Sequence, residues 1–336
     1  MDRCRGFSLA ACVAAAVAGC SAPASIPASH AAVSPASSEH AGSWMLPQAK
    51  KQPSLLYVAN DGPSDVTVYT YVNGSGLLLV GTLTGFKQPA GMCSDAAGHV
   101  WIDDYGSRKI FEYAHGGTDR IFTISEFSGF PYDCAVDPAT GNIAVANQHP
   151  NGKYQAFGNV VVYPKGSKIG TTYTTGTGFS NVFFLTYDDH SNLYLDATPC
   201  LRSYCYYGGG PPGLYVLAAG SGSFAPLTFS GGTLRQPAAI SWVNPIFLVG
   251  DSNFENQKTS GAYKIFVSGS TATVVGTIEY AGTQRFYGSW RRSSHVVVPD
   301  YQGGVVRIYN LSDGSLVDHF ADRGLPFGAV VSQSVK

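Results

Sequence analysis

Acidic and amide side chains recur at the ends of short apolar runs and are the first candidates for chemistry. They are Asn60, Asp104, Asn147, Asp251 and Asp300, in the segments LLYVAN, HVWIDD, NIAVAN, IFLVGD and HVVVPD. Oxygen donors of this kind hold divalent cations when several of them converge. The same side chains also accept hydrogen bonds from backbone amides in turns. Because the pattern recurs in nearly every unit, whereas a catalytic site needs asymmetry, we expect these five residues to be structural.

Nucleophile and phosphate-binding motifs are missing from the sequence. It contains no Gly-x-Ser-x-Gly elbow, and Gly74-Ser75-Gly76 and Gly220-Ser221-Gly222 have the composition of hairpin turns. No glycine-rich loop leads from a strand into a helix, so a nucleotide has no phosphate cradle. The sequence therefore predicts no catalytic residue by motif.

One pattern of four short strands repeats along the chain. Each unit opens with an alternating first strand, such as QPAGMCSD or QPAAISWV, and a second strand that ends in Asp or Asn. A third strand with aromatic residues, such as KIFEY or VVRIYN, and a poorer fourth strand complete the unit. A spacing of about 40–56 residues is typical of repeat architectures. Four antiparallel strands form one blade of a β-propeller.

The number of units predicts the architecture. Second strands begin near residues 55, 99, 142, 192, 246 and 295, and the unit at 55 has no first strand before it. The segment LPFGAVVSQ at 325–333 has the missing pattern. We therefore predict an all-β fold over residues 53–336, a six-bladed β-propeller with four antiparallel strands per blade. Strand 325–333 joins the first blade and closes the ring, which leaves no free sheet edges.

A family resemblance rests on the same motifs. IDDYGSRKIFEY and its relatives resemble NHL-type repeats, and residues 54–333 are similar to six-bladed propellers of the NHL and gluconolactonase-like group. The fold hosts hydrolases, lyases and pure binding proteins. Resemblance to the lactonases implies a divalent cation held by a Glu, Asn and Asp set, with the Glu at a first-strand start. The starts here are Gln88, Tyr132, Asn181, Gln236, Arg285 and Phe327.

Two departures from that group follow. No first-strand start is a glutamate, and Asp133 and Asn181 alone are too few for a Ca²⁺ cage. Peptide-amidating lyases of the NHL group use histidine ligands to zinc, but we expect the histidines here to be exposed in turns and outer strands. They are His99, His115, His149, His190, His295 and His319. We predict neither metal nor cofactor.

The loops after the second strands break the repeat. They are short in the second and sixth units and long in three neighbouring ones, at 147–159, 197–213 and 251–262. Their Tyr, Phe, Asn, Gln and Gly content suits recognition, although surface loops also accept neutral insertions. The candidate ligand contacts are Tyr154, Phe157, Arg202, Tyr204, Tyr206, Tyr207 and Phe254 in these loops, and Tyr132, Asp133, Asn181, Arg285 and Phe327 at the channel mouth.

The N-terminal residues have the composition of a targeting segment. Arg3 and Arg5 precede the apolar run LAACVAAAVA, and Val17-Ala18-Gly19-Cys20 resembles the lipobox of bacterial lipoproteins. The resemblance implies removal of residues 1–19 and a lipid on the Cys20 sulfur; the alternative is an ordinary secretory signal. Residues 20–52 are rich in Ala, Ser and Pro, which predicts a flexible tether after the lipidated cysteine. Ser21 slightly favours the outer membrane.

Four cysteines remain in the exported domain, and an oxidising compartment permits two disulfides. Cys200 and Cys205 lie in one loop, and Cys93 and Cys134 occupy similar places in consecutive units. We favour the pairs Cys200–Cys205 and Cys93–Cys134 over the two other pairings. Zinc is the rival interpretation, but the sequence has no Cys-x2-Cys motif and no adjacent histidine pair to support it.

The composition of the chain limits the classes of partner that it is expected to bind. The net charge of the 336 residues is −1 and 13% of them are charged, which argues against nucleic acid. The leading hypothesis is a non-catalytic, monomeric propeller, anchored in the bacterial cell envelope through Cys20, that binds a protein, peptide or glycan on its loop-rich face. The alternatives are a degenerate lactonase-like hydrolase or lyase, and a purely structural envelope scaffold.

Overall fold

A computed structural model describes residues 42–72, 74, 76–148, 157–200, 209–254, 259–322 and 324–335, with the side chains of 291 and 292 also left aside. All of these residues belong to one compact unit of the chain, Ala32–Lys336. The described part is built of β-strands, apart from the 3-10 turn η1 (Ala49–Lys51). None of its helical structure has the length and hydropathy that crossing a membrane requires.

One antiparallel sheet joins the two ends of the described chain. Its strand order is β1-β4-β3-β2-β25, with β1 (Trp44–Met45), β2 (Ser54–Asn60), β3 (Asp65–Thr70), β4 (Leu79–Leu83) and β25 (Pro326–Gln333). The C-terminal strand β25 pairs with β2 from Ser54↔Gln333 to Asn60↔Pro326. The first sheet is therefore completed by the last strand.

Three further sheets are four-stranded antiparallel meanders, in which sequence neighbours pair. One contains β5 (Pro89–Ser94), β6 (Val100–Asp104), β7 (Lys109–Tyr113) and β8 (Arg120–Ser125). Another contains β9 (Phe130–Val136), β10 (Ile143–Gln148), β11 (Asn159–Tyr163) and β12 (Thr171–Tyr173). The third contains β21 (Trp290–Arg292), β22 (His295–Asp300), β23 (Val305–Asn310) and β24 (Leu316–Ala321).

The remaining sheet has eight strands in two antiparallel halves. The first half contains β13 (Phe179–Tyr187), β14 (Leu193–Pro199), β15 (Gly213–Leu217) and β16 (Ala225–Ser230). The second contains β17 (Pro237–Val243), β18 (Ile246–Phe254), β19 (Thr259–Ser268) and β20 (Thr271–Glu279). A short parallel pairing of β16 with β20, from Thr228↔Thr271 to Ser230↔Thr273, joins the two halves.

Burial decreases across each group of four strands. Every residue of β6 is buried, whereas β8, β16 and β24 are largely exposed or half-exposed. A strand that is covered on both faces reads as a continuous apolar run, and an outer strand alternates. This explains why the second strands are apolar up to their terminal Asp or Asn, while the fourth strands are the poorest in apolar residues.

Hydrophobic clusters lie between successive groups of four strands. Representative pairs from consecutive groups are Tyr57 with Ile102, Ile110 with Val145, Ala146 with Leu195, Leu214 with Val249, and Leu248 with Val298. A further cluster brings Val297 of β22 together with Val58 of β2 in the first sheet. The core of the described chain is thus distributed between the sheets, and each sheet packs on the next.

Residues at the end of the expected tether 20–52 are packed rather than free. Strand β1 pairs with β4 through Trp44↔Thr82 and Met45↔Gly81. Ala49 is fully buried in the same cluster as Tyr57, and Met45 and Leu46 pack against that cluster. Because Trp44, Met45 and Leu46 are apolar, removing their side chains from water lowers the free energy of the folded chain. The folded part of the chain therefore begins before residue 53.

Candidate functional site

Carboxylates at the ends of second strands bind the backbone segments that lead into the first strands. Each of three accepts hydrogen bonds from two successive backbone amides, at 2.7–3.2 Å. These are Asp104 from Lys87 and Gln88, Asp251 from Arg235 and Gln236, and Asp300 from Gln284 and Arg285. The expected structural role is confirmed for these three residues. These amides precede the first strands, so the pairing of the first strands with the second strands does not include them.

A group of aromatic rings lies near the starts of the first strands. We call Tyr105, Phe130, Tyr132, Tyr287, Tyr301 and Phe327 the aromatic layer. The Phe327 ring stacks on Tyr287 with a centroid distance of 4.7 Å and an interplanar angle of 14°, and it meets Tyr132 edge-on at 5.2 Å. All six residues are half-buried, so each presents part of its surface to solvent.

The layer extends to the sheets of β6 and β22 through residues that directly follow these two second strands. Tyr105, next to Asp104, stacks on Phe130 at 5.0 Å and meets Tyr132 at 6.4 Å. Tyr301, next to Asp300, meets Tyr287 at 5.2 Å. Burial raises the pKa of Tyr301 to about 12, and its hydroxyl donates to Asp61 Oδ2 at 2.9 Å. The phenol is therefore a neutral hydrogen-bond donor at neutral pH.

A polar cleft of about 600 Å³ adjoins the aromatic layer. Arg285 links the two, because its guanidinium lies 5.2 Å from the centre of the Tyr287 ring. The Gln236 amide, with its oxygen facing Arg285, accepts from Nε at 2.9 Å and from Nη2 at 2.6 Å. The cleft is lined by Gln236, Ser252, Asn253, Thr259, Glu279, Tyr280, Gly282, Thr283, Gln284, Arg285 and Gln302. This lining is dominated by amides, hydroxyls and one Arg.

A second cavity, of about 320 Å³, lies toward the opposite ends of the first strands. We call it the lower cavity. Its lining comes from β5, β9, β13 and β17 and from residues 289 and 290, so the first strands of successive groups surround a common space. Its polar and aromatic lining residues are Ser94, Asp133, Thr186, Tyr187, Asp189, Ser241, Trp242, Ser289 and Trp290.

Three buried carboxyl groups lie in or behind this wall. Asp133 accepts from the Leu185 amide at 3.2 Å, and Asp196 accepts from the Phe184 amide at 2.9 Å. Neither carboxyl oxygen of Asp103 has a hydrogen-bond partner, and Oδ2 of Asp196 has none. Burial, followed by neighbouring acids, raises the pKa of Asp103 well above its ordinary value. Burial likewise raises the pKa of Asp133 well above normal and that of Asp196 to about 8.

One group of three donors in the described residues has the spacing of a metal site. Asp95, His99 and Glu112 offer ligand atoms within 4.8 Å of one another. His99 Nδ1 lies 2.7 Å from Glu112 Oε1, and burial raises the pKa of Glu112. All three are half-buried, at the turn between β5 and β6 and on β7. A hydrogen-bonded His–Glu pair fully accounts for their proximity.

Three of the five residues predicted to line the channel mouth lie close together in the structure. Tyr132, Arg285 and Phe327 belong to the aromatic layer or adjoin it, and Asn181 is half-buried on β13. Asp133 is only 8% exposed and belongs to the lower cavity, because the alternation of β9 turns it away from the side of Tyr132.

The predicted contact residues in the long loops differ in their burial. Phe157 is exposed at 36%, but Phe254 is buried at 4% and packs on Tyr263 at 4.9 Å. Phe254 is therefore corrected to a core residue, since β18 continues to this position. Tyr154, Arg202, Tyr204, Tyr206 and Tyr207 lie outside the described residues.

The Cys93–Cys134 disulfide is confirmed. It joins the first strands β5 and β9 of neighbouring sheets with a Cα–Cα distance of 5.5 Å, and both cysteines line the lower cavity. Cys200 is also disulfide-bonded, while Cys205 and Cys20 lie outside the described residues. His115 differs from expectation, because it is half-buried and its Nδ1 is 2.7 Å from Ser332 of β25.

Sequence reasoning missed residues at both ends of the first strands. Tyr105 and Tyr301 each follow an Asp at a second-strand end, in DDY and PDY, a repetition that pointed to the aromatic layer. Trp242 and Trp290 close the segments QPAAISW and RFYGSW. These two tryptophans lie at the ends of the first strands opposite the long loops, so the irregular loop lengths do not point to them.

Comparison with known proteins supports the fold alone. Neither the protein-family models nor the curated proteins give a match. Among solved structures, the chain is similar to one from a nidogen/laminin complex, with a TM-score of 0.63 and 14% identity, covering 84% of this chain and 98% of that one. It is also similar to a gluconolactonase from Xanthomonas campestris, with a TM-score of 0.54 and 12% identity, covering 80% and 82%. The described chain accordingly has a β-propeller fold.

Proposed function

We propose that this chain is a six-bladed β-propeller, closed by β25, that binds a glycan on the face formed by the aromatic layer and the polar cleft. The count takes each half of the eight-stranded sheet as one blade. The cyclic order of the hydrophobic clusters supports it, since the cluster of Val58 and Val297 joins the last group of strands to the first. The pairing of β25 with β2 supplies the missing inner strand.

The observation that carries the binding proposal is the continuity of aromatic rings with a polar cleft at Arg285. Ring faces stack on the apolar faces of sugars, and amides and hydroxyls match the hydroxyl groups of sugars. A peptide ligand would need apolar pockets for its side chains, and none of the described residues that line the cleft is aliphatic. A glycan therefore fits this face better than a peptide or a folded protein.

A glycan array probed with the purified chain tests this proposal. We expect saturable binding that falls at least about tenfold in Arg285→Gln and in Gln302→Ala, because both side chains line the cleft. Lys109→Gln is the matched control, since it removes an exposed charge on β7 without touching the cleft. Equal binding by all of these variants, or retention of peptides alone, would reject the glycan proposal.

Anchoring in the bacterial envelope is the second part of the proposal. It rests on the sequence Val17-Ala18-Gly19-Cys20 and the Ala/Ser/Pro-rich segment after it. Radiolabelled palmitate fed to the producing cell should appear in the wild-type chain and not in Cys20→Ala, and the wild-type chain should fractionate with the outer membrane. Labelling of the Cys20→Ala variant would show that the lipobox interpretation is wrong.

A lactonase-like hydrolase is the second candidate, favoured by one observation. Asp133 is a buried carboxyl group with a raised pKa in the wall of the lower cavity, as an acid–base catalyst requires. Elemental analysis separates the candidates, because the lactonase-like group depends on a divalent cation. A stoichiometric, tightly held divalent ion in the purified chain would favour the enzyme over the binding propeller.

A further inference from the structure

The lower cavity lies away from the glycan-binding face, and its chemistry differs. It has a volume of about 320 Å³, which is enough for a small organic molecule. Its rim residues Ser241, Trp242, Ser289 and Trp290 are half-exposed, so a ligand can reach it from solvent. No Lys, Arg or His is among the described side chains that line it.

Two tryptophans give the cavity aromatic walls. The Trp242 indole Nε1 donates to Asp189 Oδ1, and the Asn244 amide donates to Asp189 Oδ2 at 2.5 Å. The Trp242 ring is also packed on Phe247, with centroids 4.6 Å apart. These contacts fix the orientation of the indole. Trp is the ring that binds cations most strongly through its face.

Carboxyl groups supply the charge that a cation requires. Asp133 lies in the wall at 8% exposure, and Asp189 lies at the rim. The charged groups that raise the pKa of Asp133 and Asp103 are other acids, with no basic residue contributing. A buried carboxylate is costly unless it is paired. Burial favours the protonated form of Asp133 in the empty cavity, and a cation beside it would stabilise the ionised form.

The donor geometry favours an organic cation over a metal ion. Within the described residues, the group of three donors close enough to hold a metal is Asp95, His99 and Glu112, none of which lines this cavity. A hard metal ion needs several oxygen ligands at once, whereas a quaternary ammonium needs aromatic faces and a single carboxylate nearby.

We propose that the lower cavity binds a small organic cation, a quaternary ammonium or an amine, between the Trp242 and Trp290 rings and the Asp133 carboxylate. The hydroxyls of Thr186, Ser241 and Ser289 are available to a polar substituent of that ligand. The site is independent of the glycan-binding face, so either proposal can fail without the other.

Calorimetric titration with choline, and with its neutral isostere 3,3-dimethylbutan-1-ol, tests this proposal on the full chain purified in a non-ionic detergent. We expect choline to bind at least about tenfold more tightly than the isostere, because the shapes match and only the charge differs. Equal affinities, no choline binding up to about 10 mM, or tighter binding of Ca²⁺ at the same site would overturn the proposal.

Matched substitutions identify the residues responsible. Asp133→Asn keeps an oxygen for the Leu185 amide and should reduce choline affinity at least about tenfold without changing that of the isostere. Trp242→Leu should weaken choline binding and Trp242→Phe should retain most of it. If circular dichroism shows that Asp133→Asn does not fold, the proposal is tested with Trp242→Leu, Trp242→Phe and Asp189→Asn. Unchanged choline affinity in the folded variants contradicts the proposal.

Discussion

The two ends of the first strands differ in chemistry although the same strands form both. At one end lie stacked rings, Arg285 and an amide-rich cleft; at the other lie two tryptophans, buried carboxyls and a disulfide. Tyr132 and Asp133 point to opposite faces of β9, so two successive residues of one strand can line different spaces. A propeller of this kind can thus carry two separate sites on one set of strands, and its repeats need not make them alike.

Removal of β25 should have the largest effect, since both ends depend on it. β25 brings Phe327 to the aromatic layer and fills the edge of β2. A chain that ends at residue 324 leaves the β2 edge and the Val58 cluster uncovered, so we expect cooperative folding to be lost, as measured by urea denaturation. The sharper variant is Gly98→Ala, because a Cβ there would lie 1.9 Å from the Gln333 carbonyl oxygen. Gly222→Ala is the control, since its Cβ meets nothing within 4 Å.

Loss of the Cys93–Cys134 disulfide should affect stability next, and the lower cavity more than the aromatic layer. The cysteines are 41 residues apart, and closing such a loop is worth about 4 kcal/mol in the chain-entropy model. We expect the Cys93→Ser, Cys134→Ser double variant to lower the free energy of unfolding by a comparable amount. The double variant should bind choline more weakly at 25 °C and should still bind the glycan. Loss of glycan binding with choline binding retained would contradict the separation of the two sites.

Asp300 and Asp104 offer a comparison of two equivalent carboxylates. Asp300 accepts from the Arg285 amide at 3.1 Å and pairs with Arg307 Nη1 at 2.5 Å, and Asp104 holds Lys87 and Gln88 in the same manner. Either Asp→Ala change should cost about 2–3 kcal/mol of stability in thermal denaturation, because buried donors lose their acceptor. Only Asp300→Ala should also weaken glycan binding, since it releases Arg285. Equal binding losses would argue against Arg285 as a contact.

The pH dependence of stability should reveal the buried acids behind the lower cavity. Asp196 has a pKa raised to about 8 by burial, so the folded state keeps its proton where the unfolded chain loses it. Its contribution is fully present below the unfolded pKa of about 4 and is lost as pH rises toward 8. Asp196→Asn should flatten the fall in unfolding free energy by up to about 1.4 kcal/mol per pH unit in this window. Asp313→Asn, which changes an exposed carboxylate, should leave the slope in this pH window unchanged.

Much of the fold was predictable because it rests on local patterns. An Asp or Asn in five of the second strands, the alternation of the first strands and the unmatched segment 325–333 all mark strands of defined position, and β25 pairs with β2 as expected. The Cys93–Cys134 bridge followed from equivalent places in consecutive units. These features depend on period and register, which a sequence records directly.

The candidate sites were less predictable because they depend on which side chains meet across sheets. Tyr132 and Phe327 were named as mouth residues, but Tyr287, Tyr105 and Tyr301 join them only through the arrangement of separate sheets. Phe254 looked like a loop residue because the extent of β18 cannot be read from composition. The packing of residues 44–51 on β4 is another long-range contact that a Pro- and Ala-rich stretch concealed.

The independence of the two ends is tested most directly by measuring both ligands on both variants. Choline titration and glycan binding are compared for Arg285→Gln and Asp133→Asn, in chains whose folding is verified by circular dichroism. The account predicts that Arg285→Gln weakens glycan binding at least about tenfold and leaves choline affinity unchanged, and that Asp133→Asn does the reverse. If either substitution weakens both ligands equally, the two ends form one site and the account is contradicted.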